Sequence, residues 1–185
     1  MLSITDLKIG QTFVYNNQPH SVISSEHSKQ ARGGAIMRTK LKNLITGAIF
    51  DKTFKGNEDF PEAEIEYKKA DYLYNDSGEY YFMDPNTFEQ FNLSQSQIGN
   101  AKYYLKDGIK VDIVYFQDKP ININLPIKLD LQVTYTEPGF KGDTQSATYK
   151  PAKLETGLEV QVPLFIKIGD IIKIDTRNGK YVERA

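Results

Sequence analysis

At 185 residues and 21.1 kDa the chain has room for one ordinary domain or a few very small ones, and without cysteine it has neither a disulfide framework nor a thiolate zinc site. A formal net charge of −1 excludes an all-over electrostatic attraction to nucleic acid. No apolar run approaches the roughly 20 residues that span a bilayer, and the N-terminus lacks a basic-then-apolar secretion signal, so a soluble, cytoplasmic protein with no membrane partner is expected.

In chain order, the first element is "LKIGQTFVYNNQPHSVI", starting at Leu7. It reads as an apolar residue, Lys, any residue, Gly, a β-prone run, a polar turn and a second run, which predicts a hairpin. The pattern returns as "LKDGIKVDIVYFQDKPININL" from Leu105 and "IKIGDIIKIDTRNGKYV" from Ile166. Three echoes predict three small units, although Lys-x-Gly turns before strands are common enough to coincide.

Within the first unit, residues alternate from Ala35, placing Arg38, Lys40 and Lys42 on one strand face and Met37, Thr39 and Leu41 on the other. "SVISSE", residues 21–26, is expected to pair antiparallel to this run. That leaves "HSKQARGG" as the connection, with Gly33 and Gly34 supplying backbone freedom. Lys29, Arg32, Arg38, Lys40 and Lys42 gather here with Glu26 as the one nearby opponent. A solvated surface loop has the same residues. An always-charged planar Arg at the apex with a cationic face behind it also suits RNA phosphates or stacked bases.

Charge and proline divide the chain. Residues 1–61 hold eight basic against five acidic side chains, 62–126 six against eleven, and 127–185 nine against eight. The shift within "EDFPEAEIEYKKADY" at Pro61 and the proline between β-like runs in "ININLPIKLDLQV" at Pro126 mark junctions, giving expected domains 1–62, 63–126 and 127–185. Helical periodicity is weak, with a turn or two expected around 84–91 and 94–105. The fold class is therefore mainly β, three small β-barrels of SH3-like or OB type, since an open sheet of about 60 residues leaves unpaired edges.

Other constellations carry less. His20 and His27 have no partner at metal-ligand spacing. Glu58, Asp59, Glu62, Glu64 and Glu66 read as a solvated junction, not an acid/base pair. No phosphate loop or Rossmann glycine fingerprint is present, so no catalytic residue, metal or cofactor is expected. "PGFKGDT" passes either for an anion-binding turn or for plain turn chemistry. Tyr67, Tyr72, Tyr74, Tyr80, Tyr81, Phe82 and Phe88 lie in the acidic segment. Most are expected in core or edge packing, not in a single-stranded RNA platform.

The segments "RGGAIMRTKLKNL", "YLYNDSGEYYFMD", "VTYTEPGFKGDT" and "KPAKLETGLEVQVPLFIKIGDIIKIDTRNGKYVER" resemble the bacterial translation elongation factor P family over essentially the whole chain. The most specific piece is Lys150-x-Ala152 followed by Gly157, Val160, Val162-Pro163, Ile166 and Gly169. The resemblance implies an SH3-like (KOW-type) domain followed by two OB-folds in an L-shaped, tRNA-like arrangement. It implies a non-enzymatic monomer that binds the 70S ribosome between the P and E sites, touching peptidyl-tRNA, rRNA and ribosomal proteins. Its work there is to relieve stalling at consecutive prolines by orienting the peptidyl-tRNA acceptor end. The acidic middle surface would face a basic ribosomal protein.

Carried over by position, Arg32 falls on the tip that contacts the acceptor end and that relatives often modify, with Lys29, Gly33 and Gly34 in the loop around it; the cationic strand face of Arg38, Lys40 and Lys42 is expected to contact RNA behind them. Gly142, Asp143 and Thr144 match an exit-site, mRNA-proximal loop, and Tyr181 with Arg184 match a C-terminal pair expected to contact RNA or ribosomal protein. Many members carry a lysine tip, whereas this one reads "KQARGG". Arginine places it with rhamnosylated forms, with arginine-tipped paralogues, or with forms that work unmodified, and the sequence leaves these open; "GDT" leans toward the main factor. A general OB-fold single-stranded RNA binder is the alternative class, which the near-neutral charge opposes.

Overall fold

The computed structural model describes residues 1–30, 33–138 and 149–185, with side chains described for all of these except 28–30 and 33–35. The chain divides into two compact units, one of Met1–Lys69, Asn92–Gly99 and Asp112–Ile123, the other of Ala70–Phe91, Asn100–Val111 and Asn124–Ala185.

The first strands are β1 (Leu2–Ser3), β2 (Thr12–Tyr15), β3 (Gln18–Gln30), β4 (Gly33–Asn43), β5 (Ile49–Lys55) and β6 (Asp59–Phe60). β2, β3, β4 and β5 follow one another in an antiparallel sheet, and β1 pairs with β6. A bridge between Phe13 and Glu62, with the Val14 N–H donating to Pro61 O at 2.8 Å, joins β2 to the chain beyond β6, so the sheet curls on itself. Inside lie Ile4, Leu7, Phe13, Val22, Met37, Leu41, Phe54 and Phe60. Phe54 meets Phe13 and Phe60 with ring centroids 6.1 and 4.8 Å apart. Burying a side chain of that size contributes about 3 kcal/mol, which is how so few large residues hold a small barrel.

Next come β7 (Ile65–Asp76), β8 (Glu79–Met83), β9 (Gln90–Ser94), β10 (Lys110–Phe116) and β11 (Lys119–Asn124), in the sheet order β11-β10-β7-β8-β9. Between β9 and β10 the chain forms α1 (Gln95–Ile98) and a 3-10 segment, Gly99–Tyr104. Gln97 Oε1 accepts from the Ser94 N–H at 3.0 Å, completing a capping box and starting the helical turn expected after residue 94. The turn expected around 84–91 closes once, the Phe88 N–H donating to Asp84 O at 2.9 Å, and does not continue as a helix because Phe88 leaves it at φ +59°. Asp84 Oδ1 accepts from the Asn86 and Thr87 N–H groups at 2.7 and 3.2 Å, an Asx turn that reverses the chain between β8 and β9. Of the aromatics expected in packing, Tyr72, Tyr80 and Phe82 are buried, Tyr74 stacks on Tyr81 at 4.7 Å, and Tyr67 and Phe88 are exposed.

The last strands, β12 (Lys128–Thr136), β13 (Tyr149–Leu154), β14 (Glu159–Pro163), β15 (Ile171–Asp175) and β16 (Lys180–Arg184), take the order β14-β13-β12-β15-β16. β14 and β16, at the two ends of that order, also approach each other, so this sheet nearly closes as a barrel. In-out alternation along β13, β14 and β12 as far as Val133, after which β12 shifts register, puts Leu131, Val133, Leu154, Val160 and Val162 in its core.

The three sequence echoes share one geometry. The Lys8, Lys106 and Lys167 carbonyls each accept from the N–H three residues on, at 3.0, 3.0 and 3.2 Å. Each following Gly, at φ +88°, +73° and +90°, donates its N–H to a strand carbonyl, that of Val22, Tyr72 or Val133. Those strand residues donate back to Gln11, Ile109 and Asp170. The leading apolar residues Leu7, Leu105 and Ile166 are all buried. The pattern is a working turn: Gly takes the left-handed conformation that lets the chain enter a strand with both backbone groups paired.

Candidate functional site

Among the described residues β3 and β4 form the longest hairpin, paired from His20 opposite Asn43 out to Gln30 opposite Gly33. The connection expected over residues 27–34 is therefore mostly strand. Arg32 itself lies outside the described residues. β2 pairs with β3 along Gln18–Ser21 and β5 with β4 along Ile36–Lys42, so among the described residues each strand pairs only with the other beyond Ser28 and Ile36. Lys29 falls at a register shift between Ser28 and Gln30, while Gly33 and Gly34 begin β4. A two-stranded ribbon is barely stable alone, so its root must be anchored.

The anchor is built from β4. Met37, Thr39, Leu41 and Asn43 are buried while Arg38, Lys40 and Lys42 are exposed, as the alternation requires. Val22 and Phe54 pack with Met37 and Leu41, and Thr39 Oγ1 donates to Lys52 O at 2.9 Å. At the root, His20 is buried against Tyr15 and Phe50, with ring centroids 5.8 and 5.6 Å away. Its Nδ1 lies 2.9 Å from Gln18 O, which can only accept, so Nδ1 carries the proton and Nε2 accepts from Asn43 Nδ2 at 3.3 Å. Asn43 Oδ1 in turn accepts from the Ile45 and Thr46 N–H groups, holding the turn into β5. Burial lowers the His20 pKa below the ordinary histidine range, against the opposing pull of the Gln18 carbonyl. His20 is thus a core residue that locks the hairpin root.

The cationic stripe differs from expectation. Arg38 stands between Glu26 and Thr53, Lys40 between Ser24 and Asp51, and Lys42 between Ser21 and Ile49. Asp51 is a second opponent that distance in sequence concealed, and Glu26, Arg38, Lys40 and Asp51 line one shallow depression of the exposed face. Among the described residues no ion pair joins these groups, so the cations stay available, but the face alternates in sign. Lys52 was not singled out in the sequence; its Nζ sits 5.3 Å from the Tyr15 ring centroid, and a hydrogen bond with the Tyr15 hydroxyl raises its pKa.

At the C-terminus, Ile174 pairs with Tyr181 and Ile172 with Arg184, with a register shift between them at Val182. Residues three apart in a regular strand point to opposite faces, so this bulge brings Tyr181 and Arg184 to the same one. Arg184 is exposed and Tyr181 half-buried. Gly142, Asp143 and Thr144 lie outside the described residues.

Small β-barrel modules and a long two-stranded hairpin fit a binding factor. Residues 3–60 match the elongation factor P KOW-like domain, 65–123 the elongation factor P OB domain, and 129–184 the elongation factor P C-terminal domain. Elongation factor P of Fervidobacterium nodosum is 48% identical over 185 residues, and that of Thermotoga petrophila 46%, each alignment covering all of both chains. Among solved structures, eukaryotic translation initiation factor 5A from Methanococcus jannaschii superposes with a TM-score of 0.51 at 18% identity, covering 67% of this chain and 93% of that one. It shows a shared fold. The class is therefore that of translation elongation factors, proteins that work with the ribosome. Within it, the chain belongs to the elongation factor P family.

Proposed function

We propose that this chain binds the ribosome between the peptidyl-tRNA and exit sites and stimulates peptide-bond formation at consecutive prolines, with Arg32 at the acceptor end of the peptidyl-tRNA. The observation that carries the reading is the β3–β4 ribbon, paired to Gln30 and Gly33 on either side of Arg32 and rooted in a packed barrel. Proline is a poor nucleophile with a fixed φ, so an ordered donor end supplies the orientation that the reaction lacks. The ribosome remains the catalyst and the factor contributes no reacting group.

Lys29, Gly33 and Gly34 flank the tip, and Arg38, Lys40 and Lys42 meet RNA phosphates. Gly142, Asp143 and Thr144 lie by the exit-site codon, and Tyr181 with Arg184 contact RNA or ribosomal protein. The protein acts as a cytoplasmic monomer of three domains, 1–62, 63–126 and 127–185, a division supported by the spans of the three family matches. Arg32 works either bare or carrying a group such as rhamnose, and mass analysis of protein from its own host distinguishes the two.

The test is reconstituted translation of a polyproline reporter together with ribosome binding. Arg32→Ala is expected to abolish rescue while weakening binding much less, because the tip orients and the barrels anchor. Equal loss of both refutes that division of labour.

A further inference from the structure

The last barrel contains a cleft of about 550 Å³, within the size range of small-ligand sites, that no part of the proposed mechanism uses. Its floor is Ile166, fully buried, and Lys150, which is only 7% exposed. Lys150 sits on β13 opposite Val162, on the inward side of a strand whose alternation would otherwise place an apolar residue there. Its Nζ donates to Glu137 O at 2.6 Å. Among the described residues no carboxylate comes within ion-pair distance.

Removing an ammonium from water is costly unless an opposite charge compensates it, and among the described residues its partner is the Glu137 carbonyl. The rim adds Lys167, together with Phe165 and Ile168, each 60% exposed. The side chain of Glu137, also on the lining, is exposed, so the described lining carries two lysines against one carboxylate. An exposed aromatic ring in one cleft with a buried ammonium that has no carboxylate partner among the described residues is a surface suited to a flat, anionic ligand.

We propose that this cleft binds one nucleotide of single-stranded RNA, the base lying on Phe165 against Ile168 and the phosphate reaching Lys150 and Lys167. Base-on-aromatic stacking is tolerant of sequence, and the paired lysines supply the anion contact that a purely apolar peptide would leave unsatisfied. The inference rests on the ribosome reading only for the source of the RNA, and the cleft chemistry stands without it.

The test is backbone and lysine side-chain NMR of the full chain titrated to millimolar concentration with UMP, with uridine and with a short acidic peptide. UMP is expected to shift Phe165, Lys167, Ile168 and the Lys150 ammonium, with uridine weaker. Phe165→Ala and Lys150→Met each lower UMP affinity about tenfold, and Glu137→Gln raises it. Since Lys150→Met changes a buried position, Lys167→Gln and Phe165→Ala, both at the rim, decide the matter if that variant is unfolded. Equal shifts with uridine and UMP, shifts with the peptide alone, or none in the cleft overturn the proposal. Polyproline rescue by the same wild-type preparation is scored separately, so an empty cleft with rescue intact sinks this inference alone, while lost rescue sinks the ribosome reading.

Discussion

Replacing His20 with Phe separates the packing of this residue from its protonation. The ring volume is nearly kept against Tyr15 and Phe50, but the Nδ1–H bond to Gln18 O and the Nε2 acceptor for Asn43 disappear. Asn43 Nδ2 retains Gln18 Oε1 at 2.5 Å, and the carbonyl of Gln18, an exposed residue, can turn to water, so the loss is that of one part-buried hydrogen bond, about 0.5–1.5 kcal/mol. The wild type carries a further pH dependence. Its folded-state pKa lies below the unfolded value, so the unfolded chain takes up the proton first. The stabilisation is complete above the ordinary histidine range and declines as pH falls through it toward the lowered folded value. Urea unfolding at a series of pH values from about 7.5 to about 5 measures both effects, with tyrosine fluorescence as the probe. The variant is expected to be less stable at the upper end, and the gap to narrow as pH falls, because only the wild type loses the neutral-imidazole contribution. A gap that stays constant or widens on acidification refutes the reasoning, as does an imidazole resonance of His20 that titrates at or above the unperturbed histidine value.

Three other outcomes are expected. Asp51→Asn removes the carboxylate opposite Lys40 and should raise ribosome affinity up to about fivefold at low salt with a steeper salt dependence, read by equilibrium binding over a salt series. Gly169→Ala sits at φ +90° with no atom within 4 Å of the new methyl, so its cost is backbone strain alone, net about 1 kcal/mol once the stiffer unfolded chain is counted; calorimetry checks it. Asp175, held by the Arg177 fork at 3.0 and 2.6 Å, titrates at about 2. Its contribution is complete above the ordinary carboxylate range and lost as pH falls through about 2, so Asp175→Asn should flatten that acid limb in unfolding curves.

Much of this molecule is legible along the chain because strand periodicity is local. Leu41 must face inward if Lys40 and Lys42 face out, and burial follows that rule from Met37 to Asn43. The Lys-x-Gly turns are equally local, and each recurs with the same hydrogen bonds. Residues 84–91 read as a helical turn and close one, from Asp84 O to the Phe88 N–H; the Asx bonds of Asp84 and the positive φ of Phe88 end it there.

What the amino acids determined unaided was the face of each residue on its own strand, the entry turns, and membership of a family whose motifs run the length of the chain. Only tertiary pairing decided that Asp51 stands opposite Lys40, that the ribbon stays paired to Gln30 and Gly33, that a bulge at Val182 aligns Tyr181 with Arg184, and that Lys150 is buried. Those four depend on the register between neighbouring strands. Such register is set by the summed fit of two strands and their core, a quantity no single stretch of chain contains.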